Sequence, residues 1–272
     1  MSPSLPTSAS NATALPDYDV DHGWKQSIQK EITRVLKIKA ISLLSSKVLR
    51  EAQNLHPDKV SKCNFVLAFR IKTDPDGDLL DASKCRKSRL TFADRRSPGS
   101  QTAMNYYSAY VSSSSSRPIT QLAVERNAFQ HTIDVSGAYY KDTRPSVADG
   151  GRLVFARVPA WPSAYGDFPT HDSNGRAYYI QITGNMTGCA DAGCIWEAAY
   201  DKHLLSVQGM TQSVYDTRVF YRHYQDGFII AHVHVDDTRL TASSMRIMNE
   251  FYTRWAKGLD EEQKLNLSTL TT

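Results

Sequence analysis

Two adjacent carboxylates, Asp236 and Asp237, close the apolar stretch FIIAHVHVDD (Phe228–Asp237). Each charge raises the cost of ionising the other, so the pair calls for a basic side chain, a bound metal or solvent at a turn. One metal chemistry uses His232, His234 and Asp236, which alternation places on one face of a strand. Asp237 stands where a further histidine would complete such a box, and the box's Gly-rich surroundings are absent. His232 and His234 are therefore expected to be packed or hydrogen-bonded strand residues. A second grouping adds Asp134 of IDVSGAYY, an acid at the end of another strand-like run, with Tyr139 five residues on. That spacing alone carries no signal.

The segments that must position these acids follow from periodicity. From Trp24 the pattern is helical, with Ile28, Ile32, Val35 and Leu36 on one face. FVLAFRIK (Phe65–Lys72), the turn Asp74-Pro-Asp-Gly77 and KCRKSRLTF (Lys84–Phe92) form a hairpin signal. Its second run carries Lys84, Arg86, Lys87 and Arg89. This is either an edge strand kept basic against aggregation or an anion-binding strand. Ser116 is the expected N-cap and Pro118 the first-turn proline of the helix ITQLAVERNAF. Strands are expected at HTIDV, RLVFARV and AYYIQI, then a helix with Trp196, Tyr200 and Leu204 on one stripe, stopped by Gly209. TRVFYRH and FIIAHVHV make a second hairpin, and a helix runs from about Met245 to Trp255. The mixture lacks a strict βαβ rhythm and predicts an α+β fold with an antiparallel sheet.

Whole-chain properties narrow the class. The 272 residues are 41% apolar and 22% charged, an ordinary globular composition, and the net charge of +4 is too small to argue for a nucleic-acid partner. Cys63, Cys85, Cys189 and Cys194 lack metal-ligand spacing and read as reduced thiols of an intracellular protein, cytoplasmic or nuclear. The N-terminus has no apolar signal-peptide core, and no run reaches the roughly 18–20 apolar residues of a membrane span. Residues 1–20, rich in Ser, Pro and Ala at their start, are expected to be a disordered tail, and 21–272 one domain.

The order of parts resembles the reverse transcriptase domain of copia-type LTR retrotransposons, over roughly residues 24–255. NFVLAFRIKTDPDGDLLDASKCRKSRL is similar to the family's W-V-(F/Y)-K-I-K-x-D-x-x-G and Y-K-A-R-L-V-A-x-G. HTIDVSGAYYKD resembles Q-x-D-V-x-T-A-F-L-N-G, and RLVFARVPAWP occupies the place of V-Y-M-x-Q-P. YYIQITGNMTGCADAGCIWEAAYDKHL resembles L-x-K-S-L-Y-G-L-K-Q-A-P-R-x-W, and FIIAHVHVDDTRLTA resembles L-L-V-Y-V-D-D-(M/L)-x-I-A.

The resemblance implies a right-hand polymerase fingers–palm fold, its antiparallel palm sheet packed with helices, and RNA-directed DNA synthesis on a primer–template from dNTPs. It implies two Mg²⁺ or Mn²⁺ ions, roughly 3.5–4 Å apart, stabilising the attacking and leaving oxygens. Asp134 and Asp236 would bridge them, the Val135 carbonyl would help hold the triphosphate metal, and Asp237 would support from the turn. Lys87 and Arg89 would lie along the triphosphate, with Lys72 a weaker candidate, and Tyr139 would exclude a 2′-hydroxyl. The chain departs from the pattern in three places. Y-V-D-D is H-V-D-D here, and in Gly188–Cys194 the family's Lys, Gln, Pro and Arg fall on Ala190, Asp191, Gly193 and Cys194. No counterpart of thumb or RNase H follows Trp255. These departures fit a truncated, diverged copy. Asp191 is expected to add negative charge on the triphosphate's path, so little primer extension is expected. The alternative is a catalytically dead remnant with at most weak nucleic-acid binding.

Overall fold

Trp24, Ile28, Ile32 and Val35 recur at helical spacing and are buried along one side of helix α1 (Trp24–Lys37), while Leu36, expected on that face, is exposed. In this computed structural model the described residues are 5–7, 12, 14–37, 40–93, 109–135, 144–158 and 171–257. The chain divides into two compact units: Met1–Met104 with Thr143–Ala192, and Asn105–Asp142 with Gly193–Thr272. The described secondary structure is mixed helix and strand, as the sequence predicts.

The first unit carries β1 (Ile41–Leu44), α2 (Ser46–Leu55), β2 (Val60–Ile71), the helical turn α3 (Ala82–Cys85), β3 (Arg86–Ala93), β5 (Leu153–Arg157) and β6 (Tyr179–Ile182). Its five-stranded sheet has the order β1-β6-β5-β2-β3, antiparallel except where β2 meets β5. The β2–β3 hairpin pairs Phe65 with Phe92 and Ile71 with Arg86. In its connection Asp74 accepts from the backbone N–H of Asp76 and Asp78, and Gly77 has φ +91°.

β3 is the last strand of this sheet, and its outer N–H groups are nevertheless satisfied. Ser88 N–H donates to Ser27 Oγ (2.9 Å), Leu90 N–H to Glu31 Oε1 (3.0 Å) and Phe92 N–H to the Thr187 carbonyl (3.1 Å). Helix α1 thus covers the edge with side-chain acceptors, so the basic residues of β3 are not needed to keep an open edge from pairing. The stretch expected as a tail contributes buried Ala12 and Tyr18, and Asp17, which accepts two bonds from Arg86.

The second unit contains α4 (Ser113–Glu125), β4 (Phe129–Asp134), α5 (Ala192–Lys202) running into a π-helical turn (His203–Val207), β7 (Thr211–Gln212), β8 (Val219–Tyr224), β9 (Gly227–His234), β10 (Asp237–Ala242) and α6 (Met245–Lys257). Its sheet has the order β4-β10-β9-β8-β7 and is antiparallel throughout. Ile133, Phe220, Ile229, Ala231, Val233 and Leu240 bury one face of the sheet against Trp196, Tyr200, Leu204, Phe251 and Trp255 from the helices. The α4 helix starts earlier than its sequence suggests. Its cap is Ser112, not Ser116: Ser112 Oγ accepts from Ser115 N–H, and Asp216 holds Ser112 through both its N–H and its hydroxyl. Pro118 accordingly lies inside the helix. Among the described residues no helix is long and apolar enough to cross a membrane.

Candidate functional site

β9 ends at His234 and β10 begins at Asp237, so Val235 and Asp236 form a two-residue hairpin loop. Val235 has φ +58°. Positive φ at the first loop position is the type II′ arrangement, in which glycine is the usual residue. A β-branched side chain there is a genuine outlier, and such strain persists only where surrounding structure holds it. Part of the restraint comes from α5: Trp196 Nε1–H donates to the Val235 carbonyl (2.8 Å). The sequence marks Trp196 as a core residue but gives no sign of this bond, because its partner is a backbone atom 39 positions away.

Relieving the strain gives a measurable consequence. Val235→Gly is expected to stabilise the second unit by about 1 kcal/mol, the released strain exceeding glycine's extra unfolded-state entropy. Urea denaturation checks this, and a loss of stability would mean that the valine side chain contributes more by packing than its backbone costs.

The tip lies beside β4. Asp237 is the cross-strand partner of Asp134, and Val135 N–H donates to the Asp236 carbonyl (3.2 Å). Directly opposed residues of an antiparallel pair have Cα atoms about 4.5–5.5 Å apart. The backbones of Asp134, Asp236 and Asp237 are therefore grouped at one end of the sheet. Asp237 is exposed and Asp236 half-buried, and the described part of Asp134 is its backbone. Among the described residues, no group of three or more His, Cys, Asp or Glu side chains is placed to hold a metal ion.

The histidines behave as strand residues. His232 is buried, with Nδ1 3.3 Å from the Ser116 hydroxyl, and burial, with Arg239 nearby, pushes its pKa down to about 4. His234 is exposed and packs against the Tyr110 ring at 5.5 Å. Asp236 belongs to the turn, so the three do not form a single strand face.

Lys87 and Arg89 lie on β3 in the first unit, opposite Arg70 and Ala68 of β2. Arg70 and Arg89 are exposed and Lys87 is half-buried. Desolvation, then the charges of Arg89, Lys72 and Arg34, lowers the Lys87 pKa from its ordinary value. Tyr139 lies outside the described residues.

Asp191 departs from expectation. It is buried between Arg152, whose Nε and Nη2 donate to it at 2.9 and 3.1 Å, and Arg144, which also donates to it. Burial opposes its ionisation, but the hydrogen bonds and charges of Arg152 and Arg144 outweigh this and hold the pKa below the usual carboxylate value. The acid is an internal counter-ion of the first unit, not a charge exposed on the path of a phosphate. The sequence shows its charge but not its two partners, 47 and 39 positions away.

No family model and no curated protein matches the chain. Among solved structures it is similar to the telomerase from Candida albicans in complex with the TWJ fragment of telomeric RNA, with 11% identity and a TM-score of 0.41. The match covers 86% of this chain and 43% of that one, so this chain spans less than half of that protein's length.

Proposed function

We propose that the chain is, by descent, the reverse transcriptase domain of a copia-type retrotransposon, with nucleotidyl transfer at the tip formed by Asp134, Asp236 and Asp237. The supporting observation is the strand register, which sets Asp134 opposite Asp237 and ties Val135 to Asp236. In this reading the second unit is a polymerase palm and the first supplies the basic fingers hairpin. Carboxylates and a backbone carbonyl are hard oxygen donors, the chemistry that Mg²⁺ and Mn²⁺ prefer. Asp134 and Asp236 would hold the ions with the Val135 carbonyl, and Asp237 would support them. When bound, such ions stabilise charge on the attacking and leaving oxygens.

The remaining roles fall to side chains. Lys87 and Arg89 would neutralise a dNTP triphosphate, and Tyr139 would press on its sugar. Gly188–Cys194 offers no cationic side chain to a nucleotide, and its one charged residue, Asp191, is occupied internally. Catalysis depends on positioning, so the reaction should be slow. The test is single-nucleotide addition to a DNA primer on an RNA template with Mn²⁺. Slow, non-processive addition is expected, falling at least about 100-fold in Asp236→Asn. A folded chain with no metal-dependent addition would instead be a catalytically dead remnant.

A further inference from the structure

The two faces of the second unit's sheet are covered unequally. Phe220, Ile229 and Ala231 belong to the core beneath α5 and α6. Side chains alternate along a strand, so Val219, Tyr221, Phe228 and Ile230 point to the opposite face. His232 on that face lies against Ser116, which places α4 over it. The helix does not close fully on the sheet. Ala123 is its only buried residue, and Ile119 and Leu122 are half-buried, as are Tyr221, Phe228 and Ile230. A cavity of about 580 Å³ lies between them. Apolar groups held apart in this way forgo contact with one another. The volume falls within the roughly 300–1,000 Å³ of sites for small organic molecules.

The lining sets the chemistry of the occupant. One wall is aromatic: Tyr221 stands opposite Ile230 and His223 opposite Phe228 on the paired strands. The Tyr221 and His223 rings meet edge to face at 5.5 Å. Flat rings of this kind pack well against another ring. Arg126, just past the end of α4, is exposed at the rim and is the cavity's one fixed charge, with no carboxylate in the lining. Among the described residues its guanidinium has no ion pair or side-chain hydrogen bond, and the Tyr221 hydroxyl has no hydrogen-bond partner. The Ser213 hydroxyl is already taken by the N–H groups of Tyr215 and Asp216. An apolar, ring-lined cavity with a single cation at its edge is complementary to a flat apolar body carrying one negative charge. The planar fork of arginine matches a carboxylate through two parallel bonds.

We propose that this cavity binds a small aromatic carboxylate, its ring between α4 and the β8–β9 pair and its anionic head on Arg126. The site uses none of the acids at the β9–β10 tip and no divalent metal.

The test is isothermal titration of the full chain, in EDTA at fixed salt, with 2-naphthoate and with its neutral counterpart 2-naphthylmethanol. 2-Naphthoate is expected to bind one per chain, at least about tenfold more tightly than the alcohol. Arg126→Gln should remove that preference by weakening only the carboxylate, and should leave the alcohol within about twofold. Arg117→Gln, an exposed cation of α4 outside the cavity, should change neither. Leu122→Trp, which fills the cavity, should weaken both ligands. Because Arg126 is exposed, the Arg126→Gln result stands whether or not the larger substitution folds. No saturable binding of 2-naphthoate, equal affinity for the two compounds, or an equal loss in Arg117→Gln would overturn the proposal. So would a concentration-dependent dimer in sedimentation that Leu122→Trp abolishes, which would give the cavity to a second copy of the chain. Asp236→Asn should bind 2-naphthoate normally, which separates this site's failure from that of the acidic tip.

Discussion

Asp191→Asn is expected to destabilise the first unit by about 3–5 kcal/mol, the cost of breaking a buried pair while its partners stay charged. The substitution keeps shape and removes only the charge, so Arg144 and Arg152 would be left as buried cations. Nε and Nη1 of Arg144 already have no hydrogen-bond partner among the described residues, whereas Arg152 keeps its bond to Ser61 Oγ. The same interaction sets a pH dependence. Because the folded-state pKa of Asp191 is lowered from 3.8, its contribution is complete above that value and is lost as pH falls through the folded one. Urea denaturation at neutral pH checks the first statement. An effect under about 1 kcal/mol would show that solvent reaches the two guanidinium groups.

Gly188→Ala is expected to cost at least about 3 kcal/mol. Gly188 has φ +92°, and a Cβ there would stand 2.2 Å from the Phe92 carbonyl oxygen and 2.8 Å from its nitrogen. Both obstacles are backbone atoms of β3, so no rotamer change relieves them. The strand would have to move, and with it the bond from Phe92 N–H to Thr187. Thermal denaturation should show the loss directly. Wild-type stability would mean that β3 can shift away from this loop without disturbing its neighbours.

Local signals were legible wherever they decide structure by themselves. The apolar runs RLVFARV and FIIAHVHV, read as strands, are β5 and β9, and Gly209, at φ +63°, follows the end of the α5 segment as its position suggests. The resemblance, not the spacing, brought Asp134 together with Asp236 and Asp237, and the register sets the backbone of Asp134 opposite Asp237. What escaped depends on partners distant in sequence. Ser112 caps α4 because Asp216, 104 positions on, holds it there; nothing within the run of serines distinguishes it from Ser116. The cover of β3 by Ser27 and Glu31 joins residues about 60 apart, and those two positions look like ordinary polar sites on an amphipathic helix. Asp191 was misplaced for the same reason. The strain at Val235 was unreadable because valine there contradicts the local preference for glycine.

In the proposed reading, the β9–β10 tip with Asp134 is a divalent-cation site. Titration of Mn²⁺ followed by electron paramagnetic resonance tests it without requiring catalysis. Saturable Mn²⁺ binding by the full chain is expected, with its loss in the Asp134→Asn, Asp236→Asn double variant, whose melting temperature in the absence of metal should be unchanged or raised as carboxylate repulsion is relieved. Mn²⁺ binding that is the same in the wild-type chain and the double variant would contradict it.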